Sequence, residues 1–235
     1  MKENTYAFVF AVIICVVCGV LLSFFSESLR PQQELNQALD IKKNILKAVV
    51  LREPIPVKAK PQDVLEIYNL KIEEAVIDAE GHVIAGETPA AVGNGTHHPL
   101  YIYKEGGQIV AYAFPIVGQG LWSTLYGYLA LEADAVTVRG ITFYKHGETP
   151  GLGGEIEKDW FQNNFKGKTV YSLKDNKIWP IAVVKGKAGD LCSGEKLNHC
   201  VDGITAATIT GNGVTEMMDR EIRKYDPYFS KVRKL

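Results

Sequence analysis

Residues 101–117 read YIYKEGGQIVAYAFPIV, two runs of aromatic and branched apolar side chains on either side of Gly106 and Gly107. Paired glycines accept the positive φ of a tight reversal, and the flanking residues suit a pleated, half-buried surface, so the segment predicts a β-hairpin. Strand signals continue around it. EAVIDAEGHVIAG at residues 74–86 suggests two short strands about a turn at Glu80 and Gly81. Residues 136–144 suggest another strand, and IWPIAVVKG at residues 178–186 one more. Helical spacing appears elsewhere. Leu35, Leu39, Ile45, Leu46 and Val49 predict a helix over residues 29–50, closed by Pro54 and Pro56. A second stretch over residues 61–72 opens on a proline. The last helix follows Thr210, with Thr210 or Asn212 available as its cap and GNGVTEMMDREIRKYD behind it. The fold class expected is α+β, with a mostly antiparallel sheet over residues 73–235 and a helical stem over residues 29–72.

The amino-terminal end is of another kind. Residues 7–25, AFVFAVIICVVCGVLLSFF, carry no charge. At about 1.5 Å per residue they span about 28 Å, near the hydrocarbon thickness of a bilayer. A cleaved signal peptide would end its apolar run in small residues. Here Phe24 and Phe25 stand in that place, so residues 1–28 read as an uncleaved single-pass anchor. Lys2 on one side and Glu27 with Arg30 on the other give only a slight charge bias. The short tail is expected to stay inside and the remaining chain to cross.

In 235 residues the formal net charge is −1, which argues against a nucleic-acid binder. Only the carboxyl-terminal end leans basic, with Arg220, Arg223, Lys224, Lys231, Arg233 and Lys234 against Glu221 and Asp226. A solvated helix face and a contact with anionic lipid or a partner both fit. Cys15 and Cys18 lie inside the apolar run in C-x-x-C spacing and read as small packing residues, with contact to a partner's metal centre as the alternative. Cys192 and Cys200 flank SGEKLNH, where a disulfide in an oxidising compartment and two free thiols both remain open. No residue spacing supports a metal site.

Most familiar catalytic patterns fail. Gln162 stands where a phosphate-binding loop ending in Gly167, Lys168 and Thr169 needs glycine. No serine-nucleophile elbow or paired-histidine zinc motif occurs. Two segments remain. HGETPGLGGEI, residues 146–156, packs acids, proline and glycines too densely for a regular element and describes a rigid loop. DGITAATITGNGV, residues 202–214, interleaves threonine with small residues just before a helix, where a phosphate could meet amide hydrogens and the positive helix end. From the residues alone, a capping loop rich in threonine is the simpler reading. A threonine hydroxyl is a weak nucleophile, so a covalent bond to one implies activation from outside.

The run D-x-x-T-A-A-T from Asp202 to Thr208 resembles the motif on which a flavin transferase installs FMN, using FAD as donor. With GLWSTLYGYLALEAD, FYKHGETPGLGGEI, TGNGV and the apolar start, the chain is similar to the NqrC family, FMN-bearing subunits of sodium-translocating NADH:quinone oxidoreductases. The resemblance implies FMN in phosphoester linkage to Thr208, the motif residues Asp202, Thr205, Ala206 and Ala207 around it, no catalytic side chain, and no NADH oxidation by this chain alone. Ala206 departs from the glycine frequent there. Gly120, Leu121, Trp122 and Ser123, with His146, Glu148, Thr149, Gly151, Leu152 and Gly153, are the residues expected to pack round the flavin. Trp122 could stack near the ring or be a buried structural tryptophan, and Glu148 could polarise the flavin or hold its loop. The resemblance further implies a one-electron relay between redox centres of partner subunits in a sodium-pumping NADH:ubiquinone or menaquinone oxidoreductase, partner membrane and peripheral subunits, a maturing flavin transferase, and a periplasmic domain on a bacterial inner membrane. Residues 187–201 fall outside the likeness. RnfG, the member of the Rnf complex that carries FMN in the same way, is the nearest alternative; a non-catalytic tethered scaffold and a free-flavin binder are others.

Overall fold

The computed structural model describes residues 2–50, 60–92, 95–172 and 174–233. Helix α1 spans Lys2–Val49 and runs through Pro31, so the anchor and the first predicted helix are one element. Inside a helix proline removes one amide hydrogen bond and crowds the carbonyl four residues back, a local cost across which α1 continues. Pro54 and Pro56, expected to close that helix, lie outside the described residues. The chain divides into two compact units, residues 1–41 and 42–235. In the first, α1 carries an apolar stretch long enough to cross a membrane, with no protein packed on it. Phe8, Leu22 and Phe24 are all exposed there, as lipid-facing side chains would be.

The second unit is built on a five-stranded antiparallel meander. Helix α2, Pro61–Lys71, leads into β1, Ile72–Ile77. Strands β2, His98–Glu105, and β3, Gln108–Gln119, form the hairpin, with Gly106 at φ 57° and Gly107 at φ 80°. Then come β4, Thr124–Glu132, and β5, Val138–Lys145, in the spatial order β1-β2-β3-β4-β5. Strand β4 is a finding that periodicity did not supply. Its residues 125 and 127–131 are all buried, because the central strands are covered on both faces and need no polar alternation.

Beyond β5 come helix α3, Asp159–Asn163, and two-residue strands β6, Tyr171–Ser172, and β7, Lys177–Ile178. Strand β8, Ala182–Val183, pairs in parallel with β9, Cys200–Val201, on either side of α4, Ala188–Leu191. A disulfide joins Cys192 to Cys200 between them and packs with Ala188. The chain closes with α5, Thr208–Val232.

Each face of the meander has its own core. Phe114, Ile116, Leu129 and Leu131 face Met217, Met218, Ile222, Tyr225 and Phe229 of α5. Burial of each such side chain is worth about 1.5–3 kcal/mol, enough to fix α5 in place. On the other face Tyr101, Tyr103, Ala111, Ala113 and Ala130 meet Ile45, Leu46 and Val49 of α1 with Val64 and Tyr68 of α2. Ile45, Leu46 and Val49, with Val64 and Tyr68, expected in a helical stem, therefore pack inside the compact domain. Small residues bring the sheet close to the end of α1, and a Cβ on Gly140 would strike the carbonyl of Ala48. Arg139 donates to the carbonyl of Val49 and, at 2.7 Å, to Glu132, closing that helix end. Gly140→Ala is expected to cost about 2–3 kcal/mol, because two backbones must separate and no rotamer can yield. The denaturant midpoint of the full chain in detergent measures it.

The basic carboxyl-terminal residues are satisfied within the fold. Arg220 and Lys224 pair with Glu221, Arg223 with Asp219, and Arg233 with Asp226. Lys231 donates to the carbonyls of Glu80 and Gly81 at 2.9 Å. Lys234 lies outside the described residues.

Candidate functional site

Helix α5 begins at Thr208, earlier than the expected cap. Ala207 takes the capping position with φ −127°, no side chain caps the helix, and no acid lies in its first turn. Its first amide hydrogens are left open toward an anion. Thr210 and Asn212, the predicted caps, are both helical. Thr208 is exposed and lines a cleft of about 260 Å³ with Thr205, Ala206 and Ala207. Lys185, Gly186, Gly203 and Asn212 line it too, and sequence reasoning did not select them. Residues 178–186 read only as a strand, and nothing local indicates that they turn back beside the motif.

Asp202 does not line that cleft. One carboxylate oxygen accepts from Lys187 Nζ and the other from the amide of Ala188, each at 2.8 Å. The ammonium, then the amide, holds its carboxyl below the ordinary value. The first residue of the motif thus braces the disulfide-bearing segment behind it. Gly203 donates to the carbonyl of Gly186 at 2.8 Å, and the carbonyl of Val184 occupies the space a side chain would need.

Ala206 has φ +58°, in the left-handed region that L side chains avoid. The glycine frequent at this place in the flavin motif has a conformational reason. Ala206→Gly is expected to raise stability by about 0.5–1 kcal/mol, the relief of left-handed strain less the greater chain entropy of glycine. A thermal melt of the full chain tests the sign.

The two predicted loops meet at Glu148. Its buried carboxylate accepts from the amides of Leu121 at 3.2 Å, Trp122 at 2.8 Å and Ser123 at 3.2 Å. The Thr210 hydroxyl donates to it at 2.6 Å. Burial pushes this carboxyl up, but the Thr210 and amide hydrogen bonds together outweigh burial and leave it below its ordinary value. Glycines make room for it. A Cβ at Gly120 would lie 2.6 Å from one carboxylate oxygen, and one at Gly153 would lie 2.7 Å from the other. Sequence left Glu148 between two roles; its carboxylate is engaged in holding residues 121–123 to the first turn of α5.

Around that clamp the loops are tight turns. Gly120 donates to the carbonyl of Ser123, and Gly147 donates to the Ser123 hydroxyl. Glu148 donates its amide to His146 Nδ1 at 3.2 Å. The carbonyl of Thr149 accepts from Leu152 and Gly154, across Gly151 at φ 76°. The apolar side chains on these turns remain outside. Trp122 is 70% exposed, which removes the buried-tryptophan alternative, and Leu121, Leu152 and Ile209 are exposed beside residues of the clamp. An open helix start with a small cleft, together with a rim of exposed apolar side chains on the clamped turns, suits a ligand with an anionic end and a flat ring.

Comparison with known proteins gives the same answer from another side. The model of the FMN-binding domain matches residues 120–223, which contain the clamp, the cleft and Thr208. The C-subunit of the Na(+)-translocating NADH-quinone reductase of Yersinia pestis is 32% identical over 94% of this chain and 90% of its own. Its counterpart in Pseudomonas aeruginosa is 29% identical over 99% and 97%. The crystal structure of the C-subunit from Parabacteroides distasonis superposes with a TM-score of 0.72 at 31% identity, covering 86% of this chain and 97% of that one. With identity of that level along nearly the whole of both chains, this chain belongs to the NqrC family, the C-subunits of Na(+)-translocating NADH-quinone reductases.

Proposed function

We propose that this chain is an electron-transfer subunit of a sodium-pumping NADH:quinone oxidoreductase and carries FMN as a phosphoester on Thr208. One observation carries the attachment: Thr208 is an exposed hydroxyl at the uncapped start of α5, within D-x-x-T-A-A-T, on a cleft with room for a phosphate. FMN supplies one-electron redox chemistry when bound, and the protein supplies its position and surroundings. Thr208 bears the link, the first amides of α5 face the phosphate, and Trp122, Leu121, Leu152 and Ile209 offer apolar surface to the ring. Glu148 holds these parts in one arrangement through Thr210 and residues 121–123.

Among the described residues no side chain is bonded to the Thr208 hydroxyl, which agrees with activation by a separate transferase. In that maturation the Thr208 oxygen bonds to the phosphorus on the FMN side of FAD. The bond to the bridging oxygen breaks, AMP leaves, and the hydroxyl proton passes to the transferase. Residues 7–25 hold the chain in a bacterial inner membrane, with partner subunits of the complex around it. The domain lies on the periplasmic side, where the Cys192–Cys200 disulfide is chemically at home. Intact-mass and peptide analysis of the full chain, produced with a flavin transferase, is the test. One FMN on the peptide containing Thr208 is the expected result, and label on any other residue would overturn the assignment.

A further inference from the structure

We propose that Lys185 binds the phosphate end of the flavin and makes the cleft selective for phosphorylated flavin; the inference rests on Thr208 being the attachment point. Lys185 is the only charged residue among those lining the cleft beside Thr208. Its ammonium has no ion pair or hydrogen bond among the described residues. The neighbouring cation, Lys187, is by contrast committed to Asp202 at 2.8 Å. The same cleft is walled by Gly186, at φ 119°, and by Gly203, so backbone rather than side chain borders it there. The lining also includes Thr208 and Asn212, at the uncapped start of α5, which has no acid in its first turn.

Lysine, threonine and asparagine residues and an open helix start line one cleft, with no carboxylate among the lining residues. That donor set is complementary to a phosphate monoanion or dianion. At about 260 Å³ the cleft lies below the usual range for a whole drug-sized ligand, so it suits the phosphate arm of the cofactor, with the ring left to the apolar rim. Lysine acts here as a point charge on a flexible stem, able to follow the phosphate from FAD-bound donor to protein-bound product.

The test uses the full chain in detergent and two readouts. In the Thr208→Ala background, equilibrium binding of FMN and of riboflavin is compared for the parent, Lys185→Gln and Lys185→Arg. FMN is expected to bind more tightly than riboflavin, and Lys185→Gln is expected to weaken FMN binding roughly tenfold at low salt while leaving riboflavin unchanged. Lys185→Arg should restore most of the difference. With Thr208 intact, Lys185→Gln should slow FMN incorporation in an intact-mass time course. Equal affinity of the parent for FMN and riboflavin, or equal loss of both ligands in Lys185→Gln, would overturn the role of Lys185. Normal labelling of Thr208 together with that result sinks only this inference, whereas an unlabelled Thr208 in the parent sinks the attachment itself.

Discussion

Thr208→Ala is expected to leave a folded, membrane-inserted chain whose mass does not rise when it is made with a flavin transferase. The parent, treated identically, gains one FMN and keeps its colour through denaturation. The effect is all or none because no other group supplies the oxygen of the phosphoester. Thr205 lies in the same cleft but outside the helix start, and Thr210 spends its hydroxyl on Glu148 at 2.6 Å. Stability should change by no more than about 0.5 kcal/mol, since Thr208 is exposed and caps nothing. That near-neutrality separates loss of the acceptor from loss of the fold. Thr208→Ser, which keeps a hydroxyl at the same place, should be modified at a reduced rate. Full labelling of Thr208→Ala would overturn Thr208 as the attachment point.

Glu148→Ala should produce the largest loss of stability among single changes at the site, about 3–4 kcal/mol. The estimate comes from the partners left behind: three amides and one hydroxyl lose a buried acceptor, at about 1–3 kcal/mol for each group that water cannot reach. Some will rehydrate, because Trp122 and Leu121 stand at the surface. Glu148→Gln keeps the shape but presents an amide where an acceptor is needed, so an intermediate loss of about 1–2 kcal/mol is expected.

The pH dependence follows from the sign of the carboxyl shift. Four hydrogen bonds hold Glu148 ionised against the opposing effect of burial, and its folded pKa lies below the ordinary value. Its contribution is therefore fully present above the unfolded carboxylate range and is lost as pH falls through the folded pKa. Denaturant midpoints measured from neutral pH downward should fall more steeply for the parent than for Glu148→Gln. Parallel curves would show that the clamp carries no ionisation-linked stability. Flavin incorporation in Glu148→Gln should be slower as well, since residues 121–123 lose their hold on the helix that carries Thr208.

Local patterns were enough to read the hairpin at Gly106 and Gly107, the helix opening at Pro61, the apolar stretch in α1, and the small-residue segment before α5. Each depends on neighbours a few positions apart, where φ preference and side-chain period act directly. The resemblance of D-x-x-T-A-A-T added a chemical expectation at Thr208 that spacing alone could not. Tertiary structure was needed for the rest. Strand β4 carries no alternation because α5 lies over one face and α1 with α2 over the other. Asp202, inside the motif, points its carboxylate to Lys187 and Ala188, while Lys185, outside it, arrives in the cleft. Glu148 and Thr210 are separated by 62 positions yet hydrogen-bonded. A carboxylate buried by one fold is solvated in another, so its role is set by partners that only chain packing brings within about 3 Å.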